Sequence, residues 1–234
     1  RLTKRFPEIL FESCASGGGR FDPGMLYYAP QCWTSDDTDA AERVKIQYGT
    51  SMCYPVSSMG SHVSVVPNHQ LNRKTPLHTR ANVAYFGTFG YELDLNKLSD
   101  EEISEVKQQI TFMKEYRELI QFGTFYRLKS PFEGNETAWM TVSEDKKTAL
   151  VFWYRERNVV NADFTRVRLQ GLDPDLIYRN EYNGTENYGD ELMNLGLLTT
   201  DCTAGEPTSE DEPCTDYESR IYVLTTVARI PSPL

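Results

Sequence analysis

The sequence predicts two successive parts, an α/β region followed by an all-β region. In residues 1–122, short apolar runs alternate with helix-like stretches, which is typical of strand–helix units. In residues 123–234, the apolar runs are short, rich in β-branched and aromatic residues, and separated by turn signals. About four strand–helix units make half of an eight-stranded barrel. We therefore expect the second half of a (β/α)8 TIM barrel, completed by upstream residues, followed by an antiparallel β-sandwich domain.

The elements of the first region are expected in the following order. Residues 1–6 are the tail of a helix, and Pro7 begins the turn into a strand over residues 9–11. A second strand-like run, residues 25–29, precedes an acidic segment. That segment caps a helix over residues 39–48, with Gly49 as its C-terminal stop. Further strands are expected within residues 59–66 and 86–93, with a helix containing Ala81 between them.

The clearest helix covers residues 99–120. Ser99 and Glu102 have the spacing of a capping box, in which each side chain bonds the other residue's backbone N–H. Ile103, Val106 and further apolar residues recur at helical spacing, so one face packs against a core.

The all-β region is predicted from five segments bounded by turn residues. Residues 149–154 are nearly continuous in apolar side chains, which indicates a central strand buried on both faces. Residues 189–196 are expected to join the late strands. The five expected strands are residues 137–142, 148–154, 165–169, 176–180 and 220–226.

The charge of the chain excludes some partners. Its formal net charge is −10, and basic clusters are few. This argues against nucleic acid or an anionic membrane as a partner, because both attract cationic surfaces. No apolar run approaches the length of a membrane span.

Residues 12–39 are the candidate functional stretch. Three consecutive glycines, Gly17 to Gly19, would let a hydroxylated ring come close to the backbone, and Trp33 would offer it a flat apolar face, as would Tyr27 and Tyr28. Asp36, Asp37 and Asp39 offer carboxyl groups for acid catalysis or for binding hydroxyls. From these residues alone, the alternative stays open that the glycines form an ordinary turn and the aspartates cap a helix.

Several ordered motifs resemble glycoside hydrolase family 36, the α-galactosidases, and the similarity covers nearly the whole chain. Three motifs lie in the first 51 residues: Glu12-Ser-Cys-Ala-Ser-Gly-Gly-Gly-Arg-Phe-Asp22, Tyr28-x-Pro-Gln-x-Trp-Thr-Ser-Asp-x-Thr-Asp39 and Ile46-Gln-Tyr-Gly-Thr-Ser51. The match continues with Met59-Gly-x-His-Val-Ser64, Val66-Pro-Asn-His-Gln70 and Phe89-Gly-Tyr-Glu-Leu-Asp94.

The resemblance implies a retaining hydrolase of terminal α-linked galactose in sugars such as melibiose and raffinose. Asp36 falls on the family's general acid/base, and Cys14 falls on a cysteine that contacts substrate. Gly17, Gly18 and Trp33 complete the substrate-binding residues that we expect in this chain. The chemistry needs no metal or organic cofactor, and His62 and His69 lack a compact metal-ligand spacing. The family often forms homotetramers.

The sequence differs from the family pattern at the catalytic nucleophile. The family's nucleophile is an aspartate in a Lys-Trp-Asp-x-Asn segment that lies upstream of the cysteine loop, and this chain has no such segment. We therefore expect the chain to be the C-terminal part of a longer enzyme, to need the N-terminal half as its partner, and to be inactive alone. Alternatives are an α-N-acetylgalactosaminidase or galactosyltransferase of the same family, or a non-catalytic carbohydrate-binding fragment.

The cysteines and glycosylation sequons indicate the cellular compartment of the protein. Cys202 and Cys214 bracket a hydrophilic insert, which favours a local disulfide, and Cys32 and Cys53 are candidates for a second, leaving Cys14 free. Glycosylation sequons begin at Asn135 and Asn183. Together these features predict a secreted, glycosylated enzyme, of the kind that fungi export.

Overall fold

The structure, a computed structural model, describes residues 1–14, 16–19, 21–160, 163–199 and 216–227. The chain divides into two units, Arg1–Gln121 and Phe122–Leu234. Each unit has its own sheet and its own pattern of strand connections.

Parallel strands in chain order form the sheet of the first unit. Among its described residues there are four strands, each hydrogen-bonded to the next along the chain. Consecutive parallel strands joined by helices form the repeating unit of a (β/α)8 barrel. The strands are β1 (Glu12–Ser13), β2 (Gln31–Trp33), β3 (Met59–Ser64) and β4 (Thr88–Glu92).

Helices precede and follow these strands. The reciprocal capping box is confirmed at the start of the longest helix, because Ser99 N donates to Glu102 Oε2 at 2.9 Å and Glu102 N donates to Ser99 Oγ at 3.2 Å. Tyr91 on β4 donates to Gln109 on that helix at 2.8 Å, which ties the helix to the sheet. The helices are α1 (Leu2–Arg5), α2 (Pro23–Leu26), α3 (Ala40–Ser51), α4 (Leu77–Ala84) and α5 (Asp100–Phe122).

Three expectations for this unit are wrong. Residues 9–11 do not form the expected strand, because pairing with β2 begins only at Glu12, in β1. Residues 25–29 do not form a strand either. The start of this run belongs to α2, with Pro23 in the first turn and Asp22 accepting a bond from Met25 N at 3.0 Å, and the strand follows at β2. Helix α3 also continues past Gly49 to Ser51. A glycine ends a helix by taking a positive φ, and Gly49 is not among the residues that do.

Antiparallel strands form the second unit. In its described part, a six-stranded sheet has the order β10-β9-β12-β7-β6-β5, and β11 pairs with β8 in a two-stranded sheet. Strand β7 lies between β12 and β6, so the prediction of a central strand is confirmed. The strands are β5 (Thr124–Lys129), β6 (Glu136–Val142), β7 (Thr148–Arg155), β8 (Arg166–Val167), β9 (Ile177–Asn180), β10 (Glu186–Tyr188), β11 (Leu197–Leu198) and β12 (Glu218–Thr226).

One face of the six-stranded sheet packs against β8, β11 and helix α6 (Gly189–Asn194). Trp153 of β7, Val167 of β8, Leu192 of α6 and Leu197 of β11 are fully buried in this core. Trp139 of β6 lies outside that cluster and stacks on its neighbour in β7, Phe152, with ring centroids 4.2 Å apart. Half a barrel followed by a β-sandwich is therefore the fold, as predicted.

Predicted covalent features need one correction. Cys32 and Cys53 are both free thiols, so a disulfide between them is wrong. Cys32 is buried inside β2, whereas Cys53 lies exposed beyond the end of α3. Cys202 and Cys214 lie outside the described residues. None of the helices described above is both long and apolar enough to cross a membrane.

The two sequon asparagines lie in different surroundings. The side chain of Asn135 bonds the backbone of Arg157 twice, donating to its carbonyl at 2.7 Å and accepting from its N–H at 2.9 Å. Asn183 is exposed in a turn, where its side-chain oxygen accepts from Thr185 N at 3.1 Å. Glycosylation of either asparagine stays a prediction.

Candidate active site

The carboxyl ends of β1 and β2 bring the expected site residues to one edge of the parallel sheet. Ser13 of β1 lies opposite Cys32 of β2, so the segments that follow the two strands leave the sheet side by side. Cys14 comes directly after β1 and carries an exposed free thiol. Trp33 ends β2 and leads into the segment that contains Asp36. Catalytic groups of barrel enzymes lie at this edge.

Gly17 and Gly18 pack against the loop that contains Asp36. Both have positive φ, +67° and +94°. A Cβ at Gly17 would lie 2.5 Å from the backbone nitrogen of Asp36, and one at Gly18 would lie 2.7 Å from the carbonyl oxygen of Thr34. The missing side chains therefore make room for the Asp36 loop. Contact of these glycines with a sugar stays a prediction.

The three candidate aspartates have different surroundings. Asp39 is buried, accepts a bond from Glu42 N at 3.1 Å at the start of α3, and pairs with Arg73. Asp37 accepts from the backbone N–H of Asp39 at 3.0 Å. Asp36 is exposed, and within the described ranges no hydrogen bond or ion pair involves its carboxylate. Of the three aspartates, Asp36 is therefore the one whose carboxylate is exposed and unbonded in the described residues.

Arg43 of α3 reaches beneath the Asp36 loop. Its guanidinium donates to Gly60 O at 2.7 Å and to Ser35 O at 3.3 Å, and its carbon lies 4.5 Å from the ring centroid of Trp33. The residue is 2% exposed. Burial lowers the pKa of Arg43 to about 10, although the carboxylates of Asp37 and Glu92 oppose the shift.

Sequence analysis missed Arg43. A signal was present, because Arg43 lies three residues after the apolar Ala40 and four before Gln47, so that the three share one face of α3, and all three are buried. A charged residue on such a face is buried only where its donors find acceptors.

The ring of Trp33 contacts a histidine as well as Arg43. His62 of β3 stacks on it with centroids 4.5 Å apart and an interplanar angle of 20°. His62 Nδ1 lies 3.6 Å from a carboxylate oxygen of Glu92, at the end of β4. Gly90 lies beside the imidazole, where a Cβ would be 3.0 Å from His62 Cδ2. The side chain of Glu92, which sequence analysis did not single out, is about half exposed at this edge.

The tyrosines after α2 remain available as apolar surface. Tyr27 and Tyr28 are both exposed and pack edge to face, with centroids 5.1 Å apart. No group of three or more His, Cys, Asp or Glu side chains within the described residues is arranged to hold a metal ion.

Comparison with family models decides which family this architecture belongs to. The model described as Melibiase matches residues 1–123, and the one described as Glycosyl hydrolase family 36 C-terminal domain matches residues 136–224. The chain belongs to glycoside hydrolase family 36. The resemblance of its motifs to the α-galactosidases is thereby confirmed.

Curated relatives of this family 36 chain are named as α-galactosidases. It is 59% identical over 196 residues to α-galactosidase AgaA from Geobacillus stearothermophilus, covering 84% of this chain and 27% of that protein. It is 52% identical over 197 residues to the bifunctional α-galactosidase/sucrose kinase AgaSK from Mediterraneibacter gnavus, covering 84% and 21%. The chain thus spans about a quarter of the length of these relatives.

Solved structures of the family share the fold of both units. A variant of AgaA from G. stearothermophilus in complex with raffinose matches with a TM-score of 0.89 and 52% identity, over 97% of this chain and 30% of that one. The α-galactosidase from Lactobacillus brevis matches with a TM-score of 0.90 and 48% identity, over 100% and 31%.

Proposed function

We propose that this chain supplies the acid/base part of the active site of a retaining α-galactosidase that acts on terminal α-galactose in raffinose- and melibiose-type sugars. One observation carries the assignment to Asp36. Of the three aspartates after β2, Asp37 and Asp39 are engaged in backbone hydrogen bonds, whereas the carboxylate of Asp36 is exposed. Membership of family 36 and a relative solved in complex with raffinose support the substrate class.

In the proposed reaction, two carboxyl groups act on the same glycosidic bond. A nucleophilic aspartate attacks the anomeric carbon while Asp36 gives its proton to the departing oxygen, so that a glycosyl–enzyme ester replaces the glycosidic bond. Asp36 then takes a proton from water as the water attacks that ester, which releases galactose and restores both carboxyl groups. No Lys-Trp-Asp segment occurs in this chain, so the nucleophile comes from the N-terminal part of the same enzyme.

The neighbouring residues have supporting roles in this proposal. Cys14, Gly17, Gly18 and Trp33 surround the galactose unit or hold the loops that do. The remaining partners proposed are the N-terminal part of the enzyme and further copies in a tetramer. Export from the cell is proposed on the cysteines and sequons alone.

The test uses the full-length enzyme that contains these residues, with Asp36→Asn compared to Asp37→Asn and Asp39→Asn. We expect Asp36→Asn to lower kcat/KM for raffinose by about 10²- to 10⁴-fold, the usual contribution of general acid–base catalysis. The loss should be much smaller for dinitrophenyl α-galactoside, because that leaving group departs without a proton. An Asp36→Asn enzyme that hydrolyses raffinose at the wild-type rate would show that another group is the acid.

Two further measurements test the mechanism and the substrate. The first-formed anomer of galactose should be α, and azide should restore turnover of the activated substrate by an Asp36→Ala enzyme, giving α-galactosyl azide. β-Galactose as the first product would contradict retention. Faster hydrolysis of N-acetylgalactosaminides would favour the related family activity. Residues 1–234 alone should hydrolyse none of these substrates.

A further inference from the structure

We infer that Arg43 is a positioning residue for the acid/base, because it holds the backbone of the residue directly before Asp36 in place. This inference rests on the proposed function of Asp36. In the described residues, Arg43 makes no contact with the Asp36 carboxylate itself.

The contacts of Arg43 join the Asp36 loop to the neighbouring strand. One guanidinium nitrogen donates to the carbonyl oxygen of Ser35, the residue directly before Asp36, at 3.3 Å. The other donates to the carbonyl of Gly60 in β3 at 2.7 Å. A single planar group therefore holds the loop after β2 at a fixed place relative to β3. Only a guanidinium offers two donors in so rigid an arrangement.

The position of the Asp36 carboxylate depends on its backbone. Within the described residues no partner holds the carboxylate itself, so its place is set by the main chain of residues 34–37. Gly17 closes one side of this segment, since a Cβ there would come within 2.5 Å of Asp36 N. Arg43 ties the same segment to the sheet. Loss of this tie leaves the carboxylate free to move away from the glycosidic oxygen.

Burying the charged side chain of Arg43 costs folding free energy, which a purely structural role does not explain. It is 2% exposed and lies among the packed residues of α3 and the Trp33 ring. In the part of the chain described, its hydrogen bonds go to carbonyl oxygens, and no carboxylate lies within salt-bridge distance. A buried charge without a paired charge destabilises the fold more than an apolar side chain of similar size. Orienting the loop is a benefit that an apolar residue cannot supply.

The test compares two substrates in the full-length enzyme, because a positioning defect and a folding defect affect them differently. We measure kcat/KM for raffinose, which needs the acid, and for dinitrophenyl α-galactoside, which does not. Arg43→Lys and Arg43→Gln should lower the raffinose value about 10- to 100-fold more than the dinitrophenyl value, as expected for a misplacement of roughly 1 Å. Lysine keeps the charge and can still donate from its single nitrogen, so its effect should be the smaller.

Arg80→Lys is the matched control. Arg80 lies on the next helix, α4, is 6% exposed, and donates to the carbonyl of Ser64 at the end of β3 at 2.7 Å. It thus makes the same kind of buried contact without reaching residues 34–37. Its substitution should lower both kcat/KM values by the same factor.

A double variant shows whether Arg43 acts through Asp36. If it does, adding Arg43→Lys to Asp36→Asn causes no further selective loss on raffinose, because the positioned acid is already gone. Equal losses on both substrates in the Arg43 variants, or additive losses in the double variant, would overturn the inference. If Asp36→Asn itself shows no preference between substrates, the proposed function fails instead.

Discussion

Replacing Gly17 by alanine tests the packing that places Asp36. Gly17 has φ +67°, and an ideal Cβ there would lie 2.5 Å from Asp36 N and 2.7 Å from Ser35 Cα. All the near neighbours are backbone atoms, so no side chain can rotate away to make room. The methyl group must therefore displace the loop of residues 34–37.

Two consequences of Gly17→Ala can be estimated, namely the backbone strain at residue 17 and the displacement of Asp36. The left-handed conformation costs about 1–2 kcal/mol for a residue with a Cβ. Ordinary contacts begin at 3.4 Å, so relieving the 2.5 Å contact moves Asp36 by about 0.9 Å, the difference between the two. A displacement near 1 Å lowers rates about 100-fold. We expect Gly17→Ala to lose roughly that factor in kcat/KM for raffinose and much less for dinitrophenyl α-galactoside.

Substitutions at two other glycines distinguish the backbone strain from the displacement of the loop. Gly184 has φ +73° and nothing within 4 Å of an added Cβ, so Gly184→Ala reports the backbone strain alone. Gly49 also has open space but is helical, so Gly49→Ala should stabilise the chain by about 0.5–1 kcal/mol. Urea denaturation gives the free energies of unfolding, and kcat/KM on both substrates gives the catalytic effect. If Gly17→Ala costs no more stability than Gly184→Ala and hydrolyses raffinose normally, the loop is not held as described.

Two further predictions concern buried ionisable groups. Burial raises the pKa of the Cys32 thiol, although the hydrogen bond to Ser13 opposes this. In the native full-length enzyme, iodoacetamide should therefore label the exposed Cys14 and Cys53, and Cys32 only after unfolding. Equally fast labelling of Cys32 would contradict its burial. Burial also raises the pKa of Tyr91 above 10, the ordinary pKa of a tyrosine. The protonated, hydrogen-bonded hydroxyl therefore stabilises the fold fully below pH 10, and this stabilisation is lost as the pH rises above 10. Tyr91→Phe should therefore cost about 1 kcal/mol at neutral pH. That cost should shrink in alkaline urea denaturation, and a constant cost across pH would refute the assigned shift.

Local signals determined the elements that can be read from the sequence. The capping box of Ser99 and Glu102, the cap at Asp39 and the apolar run in β7 depend on residues close together along the chain, and each is found where it was expected. The alternation of strands and helices, followed by short strands alone, likewise indicated half a barrel and a β-sandwich. Short-range hydrogen bonding and periodic burial are sufficient for such assignments.

Tertiary contacts decided what local signals could not. The sequence allowed a strand over residues 25–29 and a disulfide between Cys32 and Cys53, but pairing of β2 with β1 and β3 places the strand later and buries Cys32 inside it. The edge strand β5 was missed because its side chains are largely half-exposed and lack a strong apolar pattern.

The different surroundings of the site residues are also set only by the fold. Asp36, Asp37 and Asp39 are equivalent as residue types, and the resemblance alone selected Asp36. The structure separates them because Arg73 and the start of α3 engage Asp39, while Gly17, far earlier in the chain, packs against the backbone at Asp36. Arg43 is bonded to a carbonyl oxygen 17 residues further along the chain, that of Gly60. Such contacts join positions distant in sequence, so only the folded chain determines them.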